Sequence, residues 1–452
     1  MVLNWMLGNS SRNMGLFLEM RLGKTLLTIR YLKMPQVSLE GWKPWVLVVC
    51  PNSVVPTWCN ELKEEGETYT ALGGSSKDKL LQATEFLQGN SDRGNTLLWV
   101  VVNYEGLRAC PSLADFDWKS AVLDESTRIK NPQSKIAKLV TTKFRNAADR
   151  LILSGFPTPE GPLDIFMQSK FLADQCCGVR NYWQFRDSMF QQKFSQWNWQ
   201  PKTGTVDRIT RFMAPFCYYL TRHQVRIPGT KVYEKRYVDP TPEQVKAVRE
   251  IKETWALGDK TTKWSFQVAL WLSQIAGGFW PHTNQQLSGR KIEEVSSLVT
   301  GDLAGSRVVV WFRFNRELFA TAGQLARVVG AKAVGVLVGG MPLEERQAAI
   351  NNSKILCCQI KVGMIGINLS AYDAFVYYSN SYSLEERIQS EDRGINVART
   401  SPVLIMDLIT KGSVDETVVD ALREKKLTGS RLVRHLLAVQ GFGSEANVHN
   451  QR

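Results

Sequence analysis

Histidine is scarce in this chain. Four residues in 452 carry imidazole, at His223, His282, His435 and His449. The eight cysteines contain no Cys-x-x-Cys repeat with partner histidines, which argues against a zinc site built from closely spaced nitrogen and sulfur ligands. Two cysteine pairs are adjacent, Cys176-Cys177 and Cys357-Cys358, and most thiols stand among apolar neighbours, where reduced and buried thiols are expected. No apolar run approaches the ~20 residues that span a bilayer. The first residues lack the basic, apolar, small-residue order of a secretory signal. No membrane partner is therefore expected, and the cytosol is the expected location. Low-complexity stretches and short-period repeats are also missing, which excludes solenoids and disordered linkers from most of the chain.

What is present is an ordinary globular composition, 44% apolar and 22% charged. A length of 452 residues exceeds what one hydrophobic core supports, since single cores stop growing near ~250 to 300 residues, so at least two domains are expected. The balance of 56 Lys and Arg against 43 Asp and Glu gives a formal charge of +13. An excess of that size favours a polyanionic partner through long-range attraction and counterion release.

Short β-branched runs alternate with helical patterns at 45–49 (WVLVV), 97–102 (LLWVVV), 121–124 (AVLD) and 150–154 (RLILS). That alternation predicts a parallel sheet with covering helices. From 242 to 300 the pattern turns helical, as in EQVKAVREIKETWAL and FQVALWLSQI. A second alternating block follows at 308–312, 334–338, 355–360, 374–378 and 402–408. The expected organisation is an α/β lobe over 1–235, a helical insertion over 236–300, a second α/β lobe over 301–440 and a loose tail over 441–452. The aromatics of 264–280 (WSFQVALWLSQIAGGFW) are assigned to core packing, and 181–200 (NYWQFRDSMFQQKFSQWNWQ) to a docked subdomain rather than a base-stacking surface.

The stretch LFLEMRLGKTLLTI (16–29) sets an apolar strand before Gly23, Lys24 and Thr25 and a helical pattern after them. Amides at a helix N-terminus attract phosphate, glycine permits close approach, lysine neutralises the outer phosphates and a threonine hydroxyl can hold magnesium. The strict phosphate-loop formula places glycine at position 18, where this chain has Leu18, so the motif alone serves equally a phosphate loop or a strand-to-helix turn with an incidental lysine. A second site shifts that balance. In AVLDESTRIKNP (121–132), Asp124 and Glu125 follow a buried strand, where one carboxylate can join a magnesium shell and the other can orient water.

GKT, DEST followed by RIKN, SGFP (154–157), GMIGINLSAYD (363–373) and QSEDR (389–393) resemble, in order, the motifs of superfamily two helicase-like ATPases, and specifically the Swi/Snf-type DNA translocases in a compact bacterial or phage form. The resemblance implies two RecA-like parallel-sheet lobes with a helical insertion, closing on ATP and Mg2+ with duplex DNA across both and RNA left open. It implies nucleotide contacts from Glu19, Met20, Arg21, Leu22, Gly23, Lys24 and Thr25, with the metal held by Thr25 and Asp124. Glu125 would act on water, Gln389 and Arg393 would complete the catalytic set from the second lobe, and Ser154, Gly155 and Gly366 would couple nucleotide state to DNA. Asn103, Tyr104, Gly340 and Gln359 would lie against nucleic acid, while Trp58 is assigned to the core and a core role stays open for Tyr104.

Three departures from the family pattern matter. Asn396 stands where a second arginine is usual; asparagine brings no positive charge, and such arginines supply ~10³ to 10⁵ in rate in related nucleotide enzymes. A slowed motor is expected, or, as the alternative, an ATP-gated DNA clamp with negligible hydrolysis, with Arg399 as a possible substitute one helical turn on. Thr127 replaces a common histidine. The first glutamine is Gln36, already past the loop, so either adenine selectivity is relaxed or the chain begins late. With no bromodomain-like or chromodomain-like extension in view, chromatin remodelling is not the expected role. A metabolic phosphate-loop kinase would leave both the charge and the second α/β block unexplained.

Overall fold

The computed structural model describes residues 1–34, 43–90, 96–192, 199–222, 224–225, 231–254, 256–257, 260–261, 265–281, 283, 285–363, 367–395 and 401–423. They divide into two compact units, one reaching to Val225 and the other starting at Lys231.

The first unit is built on a seven-stranded sheet. Its order is Thr68–Ala71, Leu98–Asn103, Trp45–Cys50, Ser120–Asp124, Asp149–Ser154, Met14–Leu18 and Cys217–Leu220, with every neighbouring pair parallel. Successive residues of the central strands enter opposite cores: Leu47 and Val49 face one cluster, Val46 and Val48 the other. A strand buried on both faces reads as an unbroken apolar run, which is why WVLVV and LLWVVV were legible. The described residues of 181–200, namely 181–192 and 199–200, pack on the first unit. Helix Tyr182–Met189 and the hairpin of Phe190–Gln192 with Trp199–Pro201 seat Phe185, Met189 and Phe190 in the first core, while Arg186 lies over the Trp199 ring.

The second unit carries a six-stranded parallel sheet, ordered Lys231–Val238, Val403–Thr410, Ala374–Tyr377, Val308–Phe312, Ile355–Gln359 and Val334–Leu337. The boundary expected at 235 falls inside Lys231–Val238, which pairs along its whole length with Val403–Thr410. This edge strand, KVYEKRYV, is largely exposed and mixes charge with aromatics, so it lacks the apolar signal that marks its neighbours. Helices Pro242–Thr254 and Ser265–Ala276 pack together around Ile251, Trp271 and Ile275, and helix Arg290–Thr300 joins the main core of the second unit. The expected helical insertion thus folds as part of the second lobe. The helix read through 243–257 stops at Thr254, and Ala256–Leu257 pairs with Lys260–Thr261 instead. Among the described residues no helix is long and apolar enough to cross a membrane.

A group of buried charges and a separate buried carboxyl mark this second lobe. Arg387 forks onto Asp407 at 2.5 and 3.1 Å, reaches Glu391 at 2.7 Å and stacks over Tyr377. Lys231 closes the same group through Glu391 and Asp392. Deeper in, Glu317 is 1% exposed, accepts from the Ser379 hydroxyl, and is pushed by burial up to about 8. Unfolded, that carboxyl titrates near its ordinary value of about 4.3. Between the two values the unfolded chain has lost a proton that the folded chain keeps, so stability falls as pH rises through this window. Glu317→Gln is expected to remove this slope and to stabilise the protein at pH 8 by on the order of 3 kcal/mol. Melting curves of both proteins at pH 5 and pH 8 check this; an equal pH slope in the variant contradicts it.

Candidate functional site

The first site forms at the carboxyl edge of the first sheet. Met14–Leu18 is wholly buried and ends in a five-residue loop, after which helix Lys24–Lys33 begins. Gly23 is left-handed, φ 73°, a turn that glycine makes without steric cost. Gly23, the N-cap, has no side chain with which to cap the helix, and a helix N-terminus of this kind suits an anion. Lys24 Nζ donates to Leu18 O at 2.8 Å and lies 3.5 Å from Glu19 O. Glu19 is held from the other side, its Oε2 accepting from the Arg222 backbone N–H at 3.0 Å and its Nε at 3.1 Å. Met20, Arg21 and Leu22 complete the loop, Arg21 also left-handed at φ 66° and Leu22 packed partly on the core. Thr25 follows Lys24 as the second residue of the helix and is half-buried.

Strand Ser120–Asp124 lies two positions from Met14–Leu18 in the same sheet and delivers Asp124 to the same edge. Asp124 is buried, and an unpartnered carboxylate there would be costly. Its Oδ2 accepts from Trp58 Nε1 at 2.9 Å and its Oδ1 from the Glu125 N–H at 2.9 Å. Burial pushes this carboxyl up; the Lys24 charge, then the Trp58 and Glu125 N–H groups, pull it back. The attraction between Asp124 and Lys24 brings the two sequence motifs, 100 residues apart, into one electrostatic neighbourhood. Glu125 is left-handed at φ 50° and half-buried, the first residue beyond the strand.

Ser154 ends the next strand, and its hydroxyl accepts from the Phe156 N–H at 3.1 Å. At Gly155 the loop runs against the 19–23 loop: a Cβ there would stand 3.5 Å from Met20 Cγ and 3.6 Å from Met20 N. Of the two expected first-lobe coupling residues, Gly155 lies against the segment expected to hold phosphate, and Ser154 pairs with Phe17 of the strand before it. Gly366, Asn396 and Arg399 lie outside the described residues.

Tyr104 requires a correction. It is 4% exposed, and its hydroxyl donates to the Asp124 carbonyl at 2.8 Å, so it supports the carboxylate strand from inside and presents no face to nucleic acid. Asn103 caps helix Tyr104–Ala109 by accepting from the Gly106 N–H, and its amide donates to Asn52 Oδ1 at 2.8 Å. That pair joins the end of strand Leu98–Asn103 to the turn Asn52–Val54 that follows the neighbouring strand Trp45–Cys50. Trp58 packs in the core as expected, yet its indole N–H also grips Asp124, a role that apolar spacing does not announce. Arg222 and Gln168 were likewise not anticipated, because their partners lie 203 and 42 residues away along the chain.

In the second unit, Gln359 ends strand Ile355–Gln359, and the turn holding Gly340 follows the neighbouring parallel strand Val334–Leu337. Both reach the same sheet edge, where a Cβ on Gly339 would stand 4.0 Å from Gln359 Oε1. Gln389 lies on helix Leu384–Asp392, its amide directed to Glu385, and Arg393 caps that helix. The charged group around Arg387 and Glu391 belongs to the same helix and fixes its seat on the sheet.

Residues 1–273 match the SNF2-related domain. The chain is 25% identical over 453 residues to the mouse (Mus musculus) SWI/SNF-related matrix-associated actin-dependent regulator of chromatin subfamily A member 1, covering 92% of this chain and 41% of that protein. It is 23% identical over 479 residues to the transcription regulatory protein SNF2 of Saccharomyces cerevisiae, covering 94% and 27%. Among solved structures, the Sulfolobus solfataricus SWI2/SNF2 ATPase core in complex with dsDNA aligns with a TM-score of 0.43 at 21% identity, over 98% of this chain and 94% of that one. The chain spans about two fifths or less of the length of these two curated relatives. With its matched segment covering more than half of its length, the chain belongs to the SNF2-related domain family.

Proposed function

We propose that this protein is a DNA-stimulated ATPase that converts hydrolysis into movement along duplex DNA. The observation that carries this reading is the first-lobe cradle: a helix N-terminus whose N-cap is Gly23, Lys24 on exchangeable carbonyl contacts, and the buried carboxylate of Asp124 under the Lys24 charge. The loop fits a triphosphate because each carbonyl that Lys24 gives up can be replaced by a phosphate oxygen. Thr25 and Asp124 would hold Mg2+, which when bound neutralises charge on the phosphates. Trp58 and the Glu125 N–H orient the Asp124 carboxylate, and Glu125 positions or deprotonates the attacking water. Gln389 and Arg393, from the second lobe, would stabilise charge on the transferring phosphoryl group. Asn396, standing where the family usually has a second arginine, brings no positive charge, which makes a slow motor the expected form.

The +13 charge favours the DNA phosphate backbone as track. Asn103, Gly340 and Gln359 are the proposed contacts, suited to gripping phosphate without reading bases. Ser154, Gly155 and Gly366 would link them to the nucleotide.

Purified protein with Mg-ATP is expected to show turnover that duplex DNA raises, and Lys24→Ala is expected to lose at least ~10²-fold of it. Turnover indifferent to DNA, or intact in Lys24→Ala, contradicts the reading. Trp58→Phe is expected to keep the fold and raise the Mg2+ concentration for half-maximal turnover by roughly 3- to 10-fold, since one donor to the metal carboxylate is lost. A Mg2+ titration of steady-state turnover measures this, and an unchanged midpoint contradicts the role given to Trp58.

A further inference from the structure

Helix Ile165–Ala173, IFMQSKFLA, is buried along most of its length, and seven of its residues are lost to solvent. Gln168 is among them, 0% exposed between apolar neighbours. A leucine would fill that space without needing partners, whereas a buried carboxamide is costly unless each polar atom is satisfied. Here each one is. Gln168 Oε1 accepts from the Ser126 hydroxyl at 2.7 Å, and Nε2 donates to Pro157 O at 2.7 Å and Asp164 O at 3.0 Å.

The partners give this amide its meaning. Ser126 directly follows Glu125, whose left-handed backbone, φ 50°, is unfavourable for a residue with a Cβ and must be held by its surroundings. Pro157 closes the Ser154–Pro157 loop, whose Gly155 lies against Met20 of the phosphate loop. Asp164 Oδ2 accepts from the Glu160 N–H at 2.7 Å and so closes the chain between Pro157 and the helix. One side chain thus bridges the turn that carries the water-directing carboxylate and the loop that touches the phosphate-binding segment.

We propose that Gln168 is a positioning residue for coupling: it makes the Glu125 turn and the 154–157 loop move as one body, so that nucleotide occupancy is felt in that loop and DNA engagement is felt at Glu125. The inference rests on the ATPase reading above. It requires no contact between Gln168 and nucleotide or DNA. Removing it should therefore separate the two events rather than abolish either.

The test uses the full chain with Gln168→Leu, Ser126→Ala and the double variant. Melting temperature, ATP affinity, turnover with and without duplex DNA, and deuterium uptake of peptides covering 154–160 with and without Mg-ATP are measured. Gln168→Leu is expected to keep ATP affinity and DNA-free turnover within about twofold, to lose roughly tenfold of the stimulation by DNA, and to lose the ATP-induced protection of 154–160. Ser126→Ala should shift both readouts in the same direction, and the double variant should be no worse than Gln168→Leu, because the two residues share one bond. Full DNA stimulation and intact protection in Gln168→Leu overturn the proposal, as does an additive double variant. If Gln168→Leu does not fold, Ser126→Ala decides by the same two readouts. A wild-type protein without DNA-stimulated turnover sinks the underlying reading, while the exchange measurement still decides Gln168: ATP protection in the wild type that persists in Gln168→Leu overturns it. No ATP response in the wild type overturns both.

Discussion

Accommodating a carboxyl group at the end of a buried strand is the constraint around which the first lobe is arranged: burial pushes Asp124 up, and fixed donors with a nearby cation oppose that push. Asp124 has little solvent, so its charge must be met by fixed donors and a nearby cation. Trp58 supplies one donor from helix Val55–Glu64 and the Glu125 N–H supplies another. Tyr104 holds the carbonyl of the same residue. Lys24 supplies the cation from two strands away. Each support comes from a different connection of the parallel sheet, and the carboxyl edge of that sheet is where they meet, as open α/β sheets place their ligands.

The second lobe solves a related problem with different means. Arg387 is buried against Asp407, Glu391 and the Tyr377 ring, and Lys231 from the edge strand reaches Glu391 and Asp392. Breaking such a group leaves uncompensated buried charge, so the group fixes geometry more than it adds net stability. What it fixes is helix Leu384–Asp392, which carries Gln389 and ends at Arg393. The residues expected to act on phosphate from this lobe therefore stand on a helix whose seat is set by charge rather than by apolar packing alone.

Much of the fold was legible, and the exceptions have physical reasons. Strands buried on both faces announced themselves as β-branched runs: Val308–Phe312 has the expected bounds, and the run expected over 355–360 ends one residue earlier, at Gln359. Lys231–Val238 was missed because an exposed edge strand carries charge where a central one carries valine. At the site, the local motifs Gly23, Lys24, Thr25 and Asp124, Glu125 were readable in the sequence, and Lys24 stands near enough for its charge to act on Asp124. The supporting side chains were not. Trp58 looks like any core aromatic, Gln168 like a polar intruder on a helix, and Arg222 like a loop cation, because each acts on a partner brought near only by sheet order. Tyr104 misled in the opposite sense, since a tyrosine beside a backbone-contacting motif reads as a surface residue until its hydroxyl is seen to hold Asp124.

The central claim is that Asp124 and Lys24 form a single magnesium-triphosphate site. Calorimetric titration of ATP into the protein, with Mg2+ and then with Mg2+ chelated, tests it most directly. One ATP per chain is predicted, with affinity falling about tenfold or more on chelation, a difference of ~1.4 kcal/mol or greater. Equal affinity with and without the metal, or no binding at all, would contradict the account.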